Sequence, residues 1–222
     1  GVQYMVMPTI DSSSTASLLA VASEFPGYCF PLMGLHPTSV KENFEKELAI
    51  VEKEFSTKKY YGVGEIGIDL YWDKTHIEQQ KDAFRHQLRL AKKLQLPVVI
   101  HSRNSFDEIL QIVDEEIDST LHGVFHSFTG TIENYEHIVQ YNTFMVGIGG
   151  VVTYKNGGVD KVLQKMDLNK IVLETDSPYL SPVPMRGKRN ESANIVFIAK
   201  KIAEILNVPV EEVASITTHN AL

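Results

Sequence analysis

Four side chains of types that commonly bind metal ions stand where short apolar runs give way to polar sequence. Glu65 follows YYGVG, His101 follows PVVI, His126 follows GVF and Asp176 follows IVLET. If these runs are parallel strands of one sheet, their carboxyl ends meet at one edge, although 36, 25 and 50 residues separate the four positions. Singly, such a carboxylate is more often a helix cap, and such a histidine is more often a hydrogen-bonded structural residue.

Together the four side chains predict a metal site. Two carboxylates brought close in a poorly solvated pocket repel each other unless a proton or a cation lies between them. A set of two imidazoles and two carboxylates suits divalent Zn, Mn, Fe, Co or Ni, with Mg possible where carboxylates and water dominate. Two such ions would act on a phosphodiester, one polarising a phosphoryl oxygen and the other lowering the pKa of a water molecule.

The elements that must position these side chains are seven short apolar runs. They are rich in β-branched and aromatic residues, nearly continuous rather than alternating, and bounded by Gly or Pro, which is typical of parallel strands covered on both faces. The runs are 4–10, 28–35, 60–68, 97–102, 123–128, 144–150 and 171–177.

Helical patterns separate the strand candidates. The clearest covers 77–94, where apolar residues recur roughly every 3.6 positions and Pro97 opens the next strand. The others are predicted at 14–24, 43–55, 105–118, 132–141, 159–166 and 193–206, with a last helix from about residue 210. Such βα alternation predicts an α/β fold with a parallel sheet, either doubly wound or closed as a barrel, in one domain over 1–222.

Composition limits the partners. The net charge is −7 and the pI about 5.6, so a broad basic face that holds duplex DNA is not expected. Contact with nucleic acid would be local, at a strand end or a few single-stranded nucleotides, with bound cations supplying positive charge. The single cysteine, Cys29, lies in an apolar run and gives neither an internal disulfide nor a Cys-based zinc site. Neither a membrane span nor a signal peptide is visible, so we expect a soluble cytoplasmic protein without a membrane or protein partner.

Six motifs together resemble the TatD family of metal-dependent deoxyribonucleases. GEIGID and ETDSPYL are the most specific of them, and the resemblance runs in order through essentially the whole chain. The motifs are GLHP (34–37), GEIGID (64–69), PVVIHSR (97–103), GVFHSFTG (123–130), LETDSPYL (173–180) and P-x-R-G-K-R-N-E (184–191). The resemblance implies an amidohydrolase-type TIM (β/α) barrel of parallel strands, hydrolysis of phosphodiester bonds in DNA, and a centre with two or three metal ions.

Carried over position by position, the resemblance gives each residue a role. It implies that Glu65 is a bridging carboxylate and that His101 and His126 are ligands of one metal. It also implies that Asp176 is a ligand that takes the proton from the attacking water, so Glu65 and Asp176 are the predicted catalytic residues. The family's opening His-x-His-x-Asp has no counterpart here, so we expect the first barrel strand to be missing from this chain.

Further residues could contact the substrate. His36, in GLHP, could contact a substrate phosphate or cap the loop that follows it. Arg103 could clamp a phosphate, although a salt bridge to Asp107 or Glu108 is the commoner fate of such an arginine.

The loop over 181–192 and the residues after GEIGID offer other candidates. Asn190 resembles part of the family's N-E pair and would fix the loop that carries Arg186; both are candidate substrate contacts. Tyr71 and Trp72 either stack on bases or pack into the core.

Three functions remain open from the sequence. The leading hypothesis is a nuclease that removes nucleotides from a DNA end. The alternative is a hydrolase of the same barrel type acting on a non-DNA ester, amide or aminoacyl-tRNA. The third is a non-catalytic barrel that retains the metal-site residues only as structure.

Overall fold

Parallel strands and helices alternate along residues 2–222, the part of the chain that the computed structural model describes. These residues group into two units, 2–123 and 124–222. The elements bear out the predicted alternation, since each described strand overlaps one of the seven predicted runs. The single domain expected over 1–222 stays a prediction.

The unit of residues 2–123 carries two parallel strand pairs. In the first pair Met5 lies opposite Cys29, and in the second Gly67 lies opposite His101. Its strands are β1 (Met5–Met7), β2 (Cys29–Pro31), β3 (Val63–Asp69) and β4 (Val98–Arg103). Its helices are α1 (Thr15–Glu24), α2 (Phe44–Thr57), α3 (Ile77–Leu94) and α4 (Phe106–Glu116).

The unit of residues 124–222 continues from β5 with the same alternation. Here β6 lies between β5 and β7, and it pairs with β7 in parallel with Val146 opposite Ile171. The strands are β5 (Gly123–Phe125), β6 (Phe144–Ile148) and β7 (Ile171–Leu173). The helices are α5 (Ile132–Gln140), α6 (Val159–Leu163), α7 (Ile195–Leu206) and α8 (Val210–Ala221).

Helix α3 shows how the sequence positions the site. At the centre of its apolar face, Phe84 and Leu88 are fully buried. Two glutamines on the helix are buried as well, and each forms a pair of hydrogen bonds with the backbone of one residue. Gln80 bonds N–H and C=O of Asp69 at 2.9 and 3.3 Å, and Gln87 bonds those of Leu35 at 2.7 and 3.2 Å. The helix therefore fixes both Asp69 and the segment that leads into His36.

Strands β3 and β4 approach closely at Gly67. This residue has a φ of +142°, and a Cβ added there would overlap the carbonyl oxygen of His101. Only glycine combines that backbone conformation with the absence of a side chain. Gly67 therefore allows β3 to run against β4 at His101.

Glu116, at the end of α4, provides a test of stability. Its carboxylate accepts hydrogen bonds from Arg89 Nε at 2.8 Å and Lys92 Nζ at 3.2 Å. Burial raises the pKa of Glu116, but the two cations lower it more, so that it lies below the ordinary value of 4.5. Such a carboxylate stabilises the fold above that value and loses its contribution as the pH falls below it.

We expect Glu116→Gln to lower the free energy of unfolding by about 1–2 kcal/mol at neutral pH, a modest loss because Arg89 is largely exposed. Urea unfolding of both proteins should show the difference shrinking as the pH falls below the ordinary glutamate pKa of 4.5. The control is Glu78→Gln, since Glu78 pairs with Lys81 in solvent. A difference that is constant with pH would contradict this account.

Candidate metal centre

Three potential ligand atoms meet in the unit of residues 2–123. They come from His36, Glu65 and His101, and all lie within 4.8 Å of one another. Glu65 Oε1 is 3.1 Å from Nδ1 of His101 and 3.6 Å from Nε2 of His36. His36 and Glu65 are buried, so the carboxylate is held against two imidazoles with little water around it.

Both strand residues lie further inside their strands than predicted. The sequence placed Glu65 and His101 at or just beyond strand ends, but Glu65 is the third of seven residues in β3 and His101 the fourth of six in β4. Both strands continue past these residues because their next residues remain paired. Ile68 lies opposite Ser102, and Asp69 lies opposite Arg103.

His101 lies between two carboxylates. Its Nδ1 faces Glu65, and its Nε2 is 3.0 Å from Oδ2 of Asp69. An imidazole whose Nε2–H donates to a carboxylate has its other nitrogen available as a ligand, and the carboxylate fixes the ring orientation and tautomer. Asp69 is therefore placed to present Nδ1 of His101 on the Glu65 side.

Asp69 is itself strongly held. Its side chain is 2% exposed, and Oδ1 accepts hydrogen bonds from the backbone N–H groups of Tyr71 at 2.9 Å and Trp72 at 3.3 Å. Burial raises the pKa of Asp69, but the hydrogen bonds from His101, Tyr71 and Trp72 lower it more, so the net shift is downward. Asp69 is thus an ionised, rigid acceptor for His101.

His36 presents an N–H group rather than a lone pair. The backbone N–H of Thr38 donates to Nδ1 of His36 at 3.2 Å, and the Thr38 hydroxyl lies 2.7 Å from the same nitrogen. Because a backbone N–H can only donate, Nδ1 carries the lone pair and a neutral ring carries its proton on Nε2. His36 therefore caps the turn Pro37–Ser39, which was one of its two predicted roles. Its Nε2–H is directed toward Glu65.

The other two predicted ligands lie in the unit of residues 124–222. His126 directly follows β5, and its Nδ1 is 3.8 Å from Oε2 of Glu174. Oε1 of Glu174 accepts the backbone N–H of Ser127 at 2.8 Å. Asp176 lies three residues beyond β7.

Backbone strain accompanies these positions. Ser127 and Asp176 have φ values of +47° and +53°, which residues other than glycine rarely adopt. Such conformations cost free energy and cluster at functional sites. Close packing is also present, because a Cβ added at Gly147 would overlap Oε2 of Glu174.

An aromatic and cationic cluster follows β3 in the unit of residues 2–123. The Arg103 guanidinium lies 3.8 Å from the ring centre of Tyr71 and 5.4 Å from that of Trp72. Arg103 therefore stacks on aromatic rings instead of forming the salt bridge considered from the sequence. Tyr71 and Trp72 are 53% and 70% exposed. The prediction that they pack into the core, one of two alternatives from the sequence, is therefore wrong.

The remaining substrate candidates lie after β7. Arg186 stacks on Tyr154, with its guanidinium 4.4 Å from the ring centre. Asn190 is buried and donates to the carbonyl oxygens of Thr175 and Tyr179 at 2.7 and 2.6 Å. These bonds fix the loop that carries Arg186, as expected; direct contact of Asn190 with substrate stays a prediction.

Sequence reasoning missed Asp69 and Glu174. Both belong to the quoted motifs GEIGID and LETDSPYL, but neither received a role. A signal existed for Asp69, since residues four apart in a strand share a face and Glu65 precedes it by four. The sequence signal for Glu174 was its position directly after the apolar residues Ile171–Leu173.

The residues of this site fit a divalent cation. Nδ1 of His101 and Oε1 of Glu65 form a nitrogen and oxygen pair of the kind that such ions bind, with the carboxylate buried and the imidazole already oriented by Asp69. Imidazole and carboxylate donors were expected from the sequence; the assignment of His126 and Asp176 to the same set stays a prediction.

The fold places the chain in a known class of hydrolase. The crystal structure of YjjV, a TatD homologue from Escherichia coli K12, matches with a TM-score of 0.92 and 28% identity, covering 100% of this chain and 85% of that one. A hydrolase TatD family protein from Entamoeba histolytica matches with a TM-score of 0.82 at 22% identity, which shows the fold alone. The predicted α/β fold of TIM-barrel type with parallel strands is confirmed.

The family follows from the sequence comparisons. The family model described as TatD related DNase matches residues 1–222. The uncharacterized metal-dependent hydrolase YabD of Bacillus subtilis strain 168 is 34% identical over 221 residues, covering 99% of this chain and 86% of that protein. The chain therefore belongs to the TatD related DNase family and is a metal-dependent hydrolase.

No helix within residues 2–222 is both long enough and apolar enough to cross a membrane.

Proposed function

We propose that this metal-dependent hydrolase cleaves phosphodiester bonds of DNA and acts from a strand end. The observation that carries the proposal is the approach of the half-buried His101 to the buried Glu65, with Asp69 behind the imidazole. A divalent cation bound by the pair would supply Lewis acidity and positive charge to a phosphodiester. A cytoplasmic location would give such an enzyme access to DNA.

The proposal assigns the metal ligands as the sequence did. Glu65, His101, His126 and Asp176 would hold the cations, and Asp176 would accept the proton of the attacking water. Glu174, near His126 and bonded to Ser127, would orient that imidazole as Asp69 orients His101.

Cationic and N–H groups of the chain would bind the substrate phosphates. His36 directs its Nε2–H toward Glu65, where a phosphate oxygen could accept it. Arg103 and Arg186 each lie over an aromatic ring, which holds the guanidinium in place for an anionic oxygen. Because the chain carries a net charge of −7, binding would depend on these local groups.

A nuclease assay tests the proposal. The full chain is stripped with EDTA and given Mg²⁺, Mn²⁺ or Zn²⁺ in turn, with an end-labelled single-stranded oligonucleotide, a generic phosphodiester and an aminoacyl ester as substrates. We expect metal-dependent loss of nucleotides from one end of the oligonucleotide. Metal-dependent cleavage of the aminoacyl ester with an intact oligonucleotide would overturn DNA as the substrate, and no cleavage under any metal would overturn the activity.

A further inference from the structure

A cavity of about 230 Å³ lies beside the His36, Glu65 and His101 group, within residues 2–123. Two of its lining residues contact the imidazoles directly. Thr38 Oγ1 is 2.7 Å from Nδ1 of His36, and Asp69 Oδ2 is 3.0 Å from Nε2 of His101. Whatever occupies the cavity is therefore one side chain away from the candidate metal ligands.

Trp72 forms an aromatic wall of this cavity. It is the single tryptophan of the chain and is 70% exposed, an unusual exposure for a side chain that gains so much free energy from burial. Its position is nevertheless fixed: Tyr71 meets it edge to face with ring centres 4.8 Å apart, and its backbone N–H donates to Asp69. An ordered, exposed indole next to a cavity is suited to stacking on a flat ligand.

His76 also lines the cavity, and one of its ring nitrogens has no hydrogen-bond partner. Its Nδ1 is buried, and within residues 2–222 it is the single buried side-chain nitrogen or oxygen without a hydrogen-bond partner. Its Nε2 is 3.7 Å from Glu42 Oε1, beyond hydrogen-bond distance. A polar ligand edge that reached this imidazole would satisfy the unpaired nitrogen.

The charges around the cavity disfavour an anion inside it. The carboxylates of Asp69 and Asp73 both line it, against the single ammonium of Lys41, which is 3.6 Å from Asp73. The aromatic wall, the imidazole and the surplus of negative charge together favour a neutral, flat molecule with a polar edge.

We propose that this cavity is a subsite for one nucleobase of the DNA strand, stacked on Trp72 and hydrogen-bonded by His76. The inference rests on the proposed function and adds how the substrate is recognised. The volume lies below the roughly 300 Å³ at which pockets begin to enclose drug-sized ligands, so it suits one base rather than a longer segment. The neighbouring nucleotide's phosphate then lies toward His36 and Glu65.

Fluorescence of the single tryptophan tests binding without turnover. The full chain, without added metal, is titrated with deoxyadenosine, with dAMP and with deoxyribose 5-phosphate. We expect saturable quenching by the two molecules that carry a base and none by the sugar phosphate, with His76→Phe weakening the binding of deoxyadenosine about tenfold. Absence of saturable quenching by deoxyadenosine, or equal quenching by deoxyribose 5-phosphate, would overturn the subsite.

Steady-state kinetics separate the failure of this inference from failure of the proposed function. In Trp72→Ala the ratio of kcat/KM for an oligonucleotide to that for a generic phosphodiester without a base should fall about 5- to 100-fold, as loss of one base–aromatic contact predicts. Tyr28→Ala, at another exposed aromatic residue, is the control and should keep the ratio. If wild type cleaves DNA but the ratio is unchanged in Trp72→Ala, the subsite alone is wrong. If wild type does not cleave DNA, the proposed function is wrong, and nucleoside binding still decides the nature of the cavity.

Discussion

Replacing Glu65 by glutamine is expected to lower kcat for phosphodiester hydrolysis by on the order of a thousandfold while leaving the protein folded. The amide keeps the size of the side chain and an oxygen facing Nδ1 of His101, 3.1 Å away, but it removes the negative charge that a cation needs. The measurement is kcat over a metal titration, together with the thermal unfolding midpoint in EDTA, which should change little.

The matched control for this variant is Glu78→Gln, an exposed carboxylate on α3. It should keep wild-type turnover. Near wild-type kcat in Glu65→Gln when metal is limiting would show that Glu65 has no part in the centre.

Replacing Asp69 by asparagine is expected to weaken the apparent metal affinity about 10- to 100-fold. Asp69 acts through Nε2 of His101, 3.0 Å away, by fixing the ring with Nδ1 toward Glu65. The effect should therefore fall on the metal concentration that gives half-maximal activity, and kcat at saturating metal should recover much of its value.

Asp82→Asn, at an exposed position of α3, is the control for Asp69. A role of Asp69 in general folding alone would lower the unfolding midpoint without moving the metal titration. That pattern would contradict its assignment as a positioning residue.

The fold was predictable where one periodic pattern dominates. Helix α3 has the predicted bounds because its apolar spacing is regular and Pro97 limits the chain after it. Helix α7 begins at Ile195 rather than Ala193, because a short 3₁₀ turn occupies Ser192–Asn194. Helix α6 is shorter than predicted, ending at Leu163, since local periodicity does not determine how a short helix ends.

The site was predictable at the residues that strands position directly. Glu65 and His101 follow from the strand pattern, and the structure brings them together. Asp69 and Glu174 act through another side chain, and their contacts depend on which atoms face each other after folding. The tautomer of His36 could not be predicted for the same reason, because it depends on one backbone N–H from Thr38.

The most direct test of the account is anomalous scattering from crystals of the full chain grown with Zn²⁺ or Mn²⁺. We predict a peak within about 2.0–2.3 Å of both Nδ1 of His101 and a carboxylate oxygen of Glu65. The same crystals should keep Nε2 of His101 on Asp69. An ion that supports activity but is bound elsewhere, with none between Nδ1 of His101 and Glu65, would contradict the account.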